Sequence, residues 1–206
     1  MKQLIMNASV LNEQGEAELK SILIADGKIL AIANADAGVS LLVEEGASGQ
    51  ELEVEKIDAQ GKLVIPGLID MHVHLREPGF EYKETIETGS RAAVKGGFTT
   101  IACMPNTRPV TDNVDTVQLV LKKGQEAGLA KVLPYAAITK NELGRELTDF
   151  EALKAAGAIG FTDDGVGVQS AQMMKDAMSR AKALDMPVIA HCEDNTLVVG
   201  AAVTDG

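Results

Sequence analysis

Gly67-Leu68-Ile69-Asp70-Met71-His72-Val73-His74-Leu75-Arg76-Glu77-Pro78-Gly79 is the stretch from which the fold is read. Apolar residues lead into it as they do into a buried strand, and two histidines follow two positions apart. Strand side chains alternate faces, so His72 and His74 project to one side and can grip one metal ion. By the same alternation Arg76 falls on that face, and Pro78-Gly79 ends the strand. A metal pair beside a guanidinium predicts a hydrolytic site for an acidic small molecule.

Downstream, strand-like runs begin near Leu68, Phe98, Lys131, Ala158 and Pro187, about thirty residues apart, with helical patterns between them. Val114, Val117, Val120 and Leu121 recur at helical spacing, as do Met173, Met174, Ala177, Met178 and Ala181, and the methionines read as a core stripe. Thr148-Asp149-Phe150-Glu151 reads as a capping box ahead of another helix. Such units build a parallel α/β sheet, either doubly wound or closed as a (β/α)8 barrel. Candidate site residues after several strand ends favour the barrel. A barrel takes roughly 250 residues, and the chain from Leu68 onward offers little more than half. The expectation is therefore an open α/β fold, or the N-terminal portion of a TIM-type barrel with about five strands present.

Upstream, residues 1–62 read as a small, incomplete, β-sandwich-like domain, with residues 63–206 as the barrel part. Val10-Leu11, Ser21 to Ala25 and Lys28 to Ile32 are β-rich, and Asp26-Gly27 between two of them is a hairpin signal. Residues 35–53 read as a surface loop, and Glu53 to Asp58 alternates as an edge strand does.

The 206 residues are 46% hydrophobic and 24% charged, as in a globular protein with a real core, but only 3% aromatic, so that core must be aliphatic. A formal charge of −11 argues against nucleic acid and anionic membrane as partners. The N-terminus shows no signal-peptide pattern and no run is long enough to span a membrane. The two cysteines, Cys103 and Cys192, make no disulfide framework and read as small core residues, so a reducing cytoplasm is the expected location.

All three histidines fall at strand ends, because His191 closes the run from Pro187. Asp163-Asp164-Gly165 follows the strand from Ala158. It is good turn chemistry, and equally a source of a carboxylate that bridges two ions. Histidine nitrogens plus a carboxylate suit zinc. Arg76 taken alone is an ordinary surface arginine, but beside a metal pair it becomes a clamp for a carboxylate. Asn106, in Met104-Pro105-Asn106-Thr107-Arg108-Pro109, comes to the same rim, although Pro-Asn is also a common turn pair. Gly96-Gly97 reads as a tight helix-to-strand turn rather than a phosphate loop.

With these residues in view, the chain resembles the N-terminal half of bacterial type I dihydroorotases in the amidohydrolase superfamily. The resemblance rests on Gly67 to Gly79, Tyr82 to Gly89, Gly96 to Thr100, Met104 to Pro109, Phe161 to Gly167 and Ala190 to Asn195. It implies that His72 and His74 ligate one zinc, that Asp164 rather than Asp163 bridges to a second, and that His191 binds the second. It also implies that His74, Arg76 and Asn106 hold the substrate. The implied reaction is the reversible hydrolysis of dihydroorotate to N-carbamoyl-L-aspartate in pyrimidine biosynthesis, with a homodimer and an association with aspartate carbamoyltransferase as implied partners. The family's acid/base aspartate and a further histidine lie on later strands, beyond this sequence, so no catalytic acid or base is assigned. Two other readings stand beside it: a non-catalytic fragment or assembly partner retaining part of a metal site, and a hydantoinase-like cyclic amidase.

Overall fold

The computed structural model describes residues 2–35 and 54–196. Most of the expected 35–53 loop, and the stretch from Leu197 to Gly206, lie outside the described residues. The chain divides into two compact units, Met1–Pro66 and Gly67–Gly206. No helix among the described residues is long and apolar enough to cross a membrane.

The first unit holds β1 (Lys2–Leu11), β2 (Ala17–Ala25), β3 (Lys28–Asn34), β4 (Val54–Asp58) and the short β5 (Leu63–Val64). Where the sequence suggests a sandwich-like domain, the described residues form one five-stranded sheet in the order β3-β2-β1-β4, with β5 also pairing β1. Asp26 and Gly27 take φ of +51° and +73°, the left-handed pair that a tight β2–β3 hairpin needs. β4 does lie at an edge, parallel to β1. β1 is far longer than Val10-Leu11 because a register shift between Ile5 and Ala8, with Asn7 at φ +54°, breaks the period on which sequence reading depends.

The second unit strings parallel strands and helices in chain order. They are β6 (Leu68–Val73), α1 (Ile86–Lys95), β7 (Phe98–Cys103), α2 (Val114–Ala127), β8 (Lys131–Pro134), α3 (Phe150–Ala156) and α4 (Ala171–Ala183). β6, β7 and β8 pair in that order, all parallel. The strands expected near Ala158 and Pro187 appear only as single parallel bridges, Ala136 with Phe161 and Phe161 with Val188. Pro134 and Pro187 have no N–H to give the ladder, which shortens both. The sheet nevertheless continues in sequence order, since Ile159 N donates to Pro134 O and Ile189 N to Phe161 O. This is the topology of a partial (β/α) barrel.

Period-two alternation along β7 sorts the core onto two faces. Ile101 and Cys103 join Leu75, Ile86, Val120 and Val132 beneath α1 and α2, while Ala102 and Met104 meet Tyr135 on the other face. A third cluster forms around Phe150 and Phe161, whose rings stack at 3.8 Å. Among the described residues β6 is paired on one side only, and Ile69 and Met71 are 64% and 67% exposed.

Local chemistry sets the helix ends. Thr85 and Thr88 cap each other at the start of α1, and Gly96 and Gly97 make the turn from α1 into β7. α3 begins one residue later than the Thr148 box implies. The Asp149 side chain accepts from Ala152 N, while the Thr148 hydroxyl donates to Ala137 O and ties this loop to the sheet. α4 packs through Ala177 and Ala181, which are small enough to bring it close, and Met174 flanks them. Met178 therefore falls outside the core stripe, 57% exposed. Cys103 is buried as expected, its thiol pushed up to about 12 by desolvation, but Cys192 is exposed.

Candidate metal centre

β6 ends at Val73, so His72 is held by the strand and His74 begins the loop after it. Their rings meet edge to face, 5.3 Å apart. The Asp70 carboxylate accepts from His72 N at 3.0 Å and steadies the strand end. Asp164 opens a turn of 3-10 helix (Asp164–Val166) at φ +44°, and its N–H donates to the Thr162 hydroxyl. That backbone twist sends consecutive aspartates in different directions. Asp163 is spent on the neighbouring loop, accepting from Thr139 N at 2.9 Å and from the Thr139 hydroxyl at 2.5 Å, and burial raises its pKa. Asp164 turns to the histidines, with Oδ1 3.3 Å from His72 Nε2 and Oδ2 3.8 Å from His74 Nε2.

His72, His74 and Asp164 thus offer donor atoms that all lie within 4.8 Å of one another. Two ligands of one tetrahedral zinc, each about 2.0–2.2 Å from it, stand about 3.3–3.5 Å apart. The donor types and the His72–Asp164 spacing fit such an ion, and these three residues could hold one. Asn106 follows β7 and spans the group: its Oδ1 lies 3.0 Å from His74 Nδ1, and its Nδ2 donates to Asp164 Oδ2 at 2.6 Å.

His191 lies at the edge of this arrangement. It lines a cleft of about 320 Å³ together with Asp163, Asp164 and Glu193, but it is not among the three clustered donors. Its Nδ1 stands 3.4 Å from a Glu193 carboxylate oxygen.

Arg76 does not follow strand alternation, because the strand has already ended and Arg76 itself sits at φ +60°. Its neighbours anchor the turn. Leu75 is buried against the α1–α2 core, and Glu77 Oε2 accepts from Ile86 N at 2.8 Å while Oε1 pairs with Lys123 on α2. Gly79, at φ +97°, lies so close to the Arg108 carbonyl that a Cβ there would sit 2.0 Å from its oxygen. The anchoring roles of Glu77 and Thr139 escape sequence reading, because Lys123 and Asp163 are remote in the chain. Only the presence of Glu77 inside the histidine–arginine stretch hints at its importance.

Glu142 is a third residue that sequence reading misses. It is buried at a positive φ of +57°, its Oε1 has no hydrogen-bond partner among the described residues, and burial followed by the charges of Asp163, Asp164 and Asp112 pushes its pKa up to about 8. The unfolded chain ionises Glu142 near 4.5, whereas the folded chain keeps the proton until about 8. Stability is therefore expected to fall as pH rises through that window and to level off above it. In metal-free chain, Glu142→Gln should remove most of the drop in thermal midpoint between about pH 5 and pH 8.5. An equal drop in both proteins would contradict the assignment.

A family model described as dihydro-orotase-like matches residues 61–206. The chain belongs to this dihydro-orotase-like family. Among curated relatives, the dihydroorotase of Halalkalibacterium halodurans is 52% identical over 206 residues, covering 100% of this chain and 45% of the relative. That of Brevibacillus brevis is 53% identical over 201 residues, covering 97% and 44%. The chain spans about half the length of these dihydroorotases. Among solved structures, an L-hydantoinase (dihydropyrimidinase) from Arthrobacter aurescens superposes with a TM-score of 0.72 at 26% identity, covering 94% of this chain and 41% of that one. A D-hydantoinase from Thermus sp. gives 0.66 at 28%, covering 95% and 41%. The partial barrel of this dihydro-orotase-like chain is thus the N-terminal portion of an amidohydrolase barrel, and its candidate donors stand where such barrels carry their sites, at the C-terminal ends of the strands.

Proposed function

We propose that this chain carries the metal-holding and carboxylate-holding part of a dihydroorotase site, for the reversible hydrolysis of dihydroorotate to N-carbamoyl-L-aspartate. The observation that carries the reading is the His72–His74–Asp164 donor group with Asn106 across it, in a chain 52% identical to a dihydroorotase. Zinc is the proposed ion, on the ligand types, with His191 as a ligand of a second ion brought in from the same cleft. When bound, the metal supplies Lewis acidity toward the ring carbonyl and toward the attacking water. The chain's own residues do the rest. His72 and His74 would hold the ion together with Asp164, which supplies a carboxylate from a buried position, and Arg76 with Asn106 binds the substrate carboxylate and orients the ring.

A hydantoinase-like cyclic amidase is the second reading, favoured by the L-hydantoinase superposition. The two differ at Arg76, since a neutral ring has no carboxylate for a guanidinium to clamp. Dihydroorotate and hydantoin turnover, measured on this chain alone and mixed with the C-terminal half of a dihydroorotase, tests both. Turnover of hydantoin but not dihydroorotate would overturn the first reading, and no turnover or zinc binding by any mixture would leave an assembly role. Arg76→Met is expected to raise KM for dihydroorotate by about 10²-fold, the loss of a charge-assisted pair, with zinc content unchanged. Equal loss of metal and substrate binding would make Arg76 structural. A homodimer, docking on aspartate carbamoyltransferase and a cytoplasmic location belong to the same proposal. Sedimentation of the chain alone and with that enzyme would test the first two.

A further inference from the structure

The Asn106 amide can face its two neighbours in only one way. An ionised Asp164 carboxylate is acceptor-only, so the amide atom 2.6 Å from its Oδ2 must be the NH2 group. That turns the amide carbonyl toward His74 Nδ1 at 3.0 Å, and a carbonyl oxygen attracts a ring nitrogen only if that nitrogen carries hydrogen. Nδ1 therefore carries hydrogen, and the neutral ring that a metal requires then has its lone pair on Nε2, the atom that stands 3.8 Å from Asp164. A free histidine side chain in water prefers the opposite tautomer. The loop that carries Asn106 owes its shape to its backbone: Met104 N donates to Val73 O, Arg108 N to Pro78 O, and both Thr107 N and Thr111 N to Pro105 O. The Asn106 side chain is thus free to serve the site rather than the loop.

We propose that Asn106 is the positioning residue of the metal centre, locking His74 in the Nδ1–H tautomer while its amine aims Asp164. The proposal rests on the reading of His72, His74 and Asp164 as metal ligands, and it goes beyond the substrate-carboxylate role that the family resemblance implies for Asn106. The two roles are compatible, because an NH2 group has two hydrogens and Asp164 takes one. A ring fixed in the correct tautomer by a partner on its far nitrogen binds metal more tightly, and loss of such partners typically costs about 10–100-fold in affinity.

The test uses the full 206-residue chain, first without metal. Nitrogen–proton correlation spectra of the imidazoles should show His74 as the Nδ1–H tautomer, and Asn106→Ala should move it to the Nε2–H form. Competition against a chromophoric chelator should then show Asn106→Ala about 10–100-fold weaker for zinc, with cooperative unfolding retained before metal is added. A His74 that carries its proton on Nε2 in the unsubstituted chain would overturn the proposal, as would an alanine variant whose tautomer or zinc affinity does not move. Failure of the dihydroorotase reading leaves these measurements intact. Failure of the metal reading would show separately, as an unsubstituted chain that takes up no zinc.

Discussion

Asp164→Ala is expected to weaken zinc binding by about 10²-fold or more, and Asp163→Ala is expected to weaken it far less. A structural zinc site is worth about 10–16 kcal/mol spread over four ligands, so one ligand accounts for about 3 kcal/mol. The carboxylate at stake is the one beside both histidine Nε2 atoms. Its neighbour Asp163 is tied to Thr139 by two hydrogen bonds and is not among the three clustered donors. Its removal should appear as lost stability, about 1–3 kcal/mol, because two Thr139 donors are left without an acceptor. Chelator competition and urea unfolding on both variants separate the cases. A stronger metal defect in Asp163→Ala would reverse the assignment of the two aspartates.

Phe161→Ala should be the most damaging single change to the fold. The ring is fully buried and stacked on Phe150 at 3.8 Å, and truncations of this kind cost about 3–5 kcal/mol. Total stability of a domain is only about 5–15 kcal/mol, so the loss takes a large share of it. Phe161 also bonds through its backbone to Pro187 and Ile189 on the next segment, while Gly160 and Thr162 beside it bond Ala136 on the other side. The Asp163-Asp164 turn follows directly, so loosened packing here should disturb the metal donors as well. The expected result is a urea midpoint lowered in proportion, together with weaker zinc binding. A loss below about 1 kcal/mol would mean that the cluster around Phe150 collapses to fill the space.

Much of the architecture was legible because it rests on short-range energetics. The thirty-residue rhythm of strand and helix, the Asp26-Gly27 hairpin and the Val114–Ala127 helix all follow from side-chain period and turn chemistry within a few residues. Misreadings arose where a distant partner competes with a local signal. Thr148 looks like a cap, yet its hydroxyl is taken by the Ala137 carbonyl, next to the bridged Ala136, leaving Asp149 to cap α3. Met178 shares the helical period of Ala177 and Ala181, but the close approach of those small residues leaves it at the margin. Cys192 reads as buried from its apolar approach, but it lies in a segment past the last sheet bond at Ile189 and is exposed.

The same division runs through the candidate site. The sequence by itself determined that two histidines, an arginine and an aspartate pair fall at the ends of parallel strand-like runs, because strand period and strand–helix alternation are local properties of the chain. Only the tertiary structure decided which aspartate meets the histidines, since a left-handed twist at Asp164 and the hold of Thr139 on Asp163 send the two apart. It also decided that Arg76 stands on an anchored turn rather than on the strand, with Glu77 fastened to α1 and α2. And it alone joined Asn106 to His74 and Asp164. Hydrogen-bond directions across such separations are set by how strands pack side by side, and no local pattern of residues carries that information.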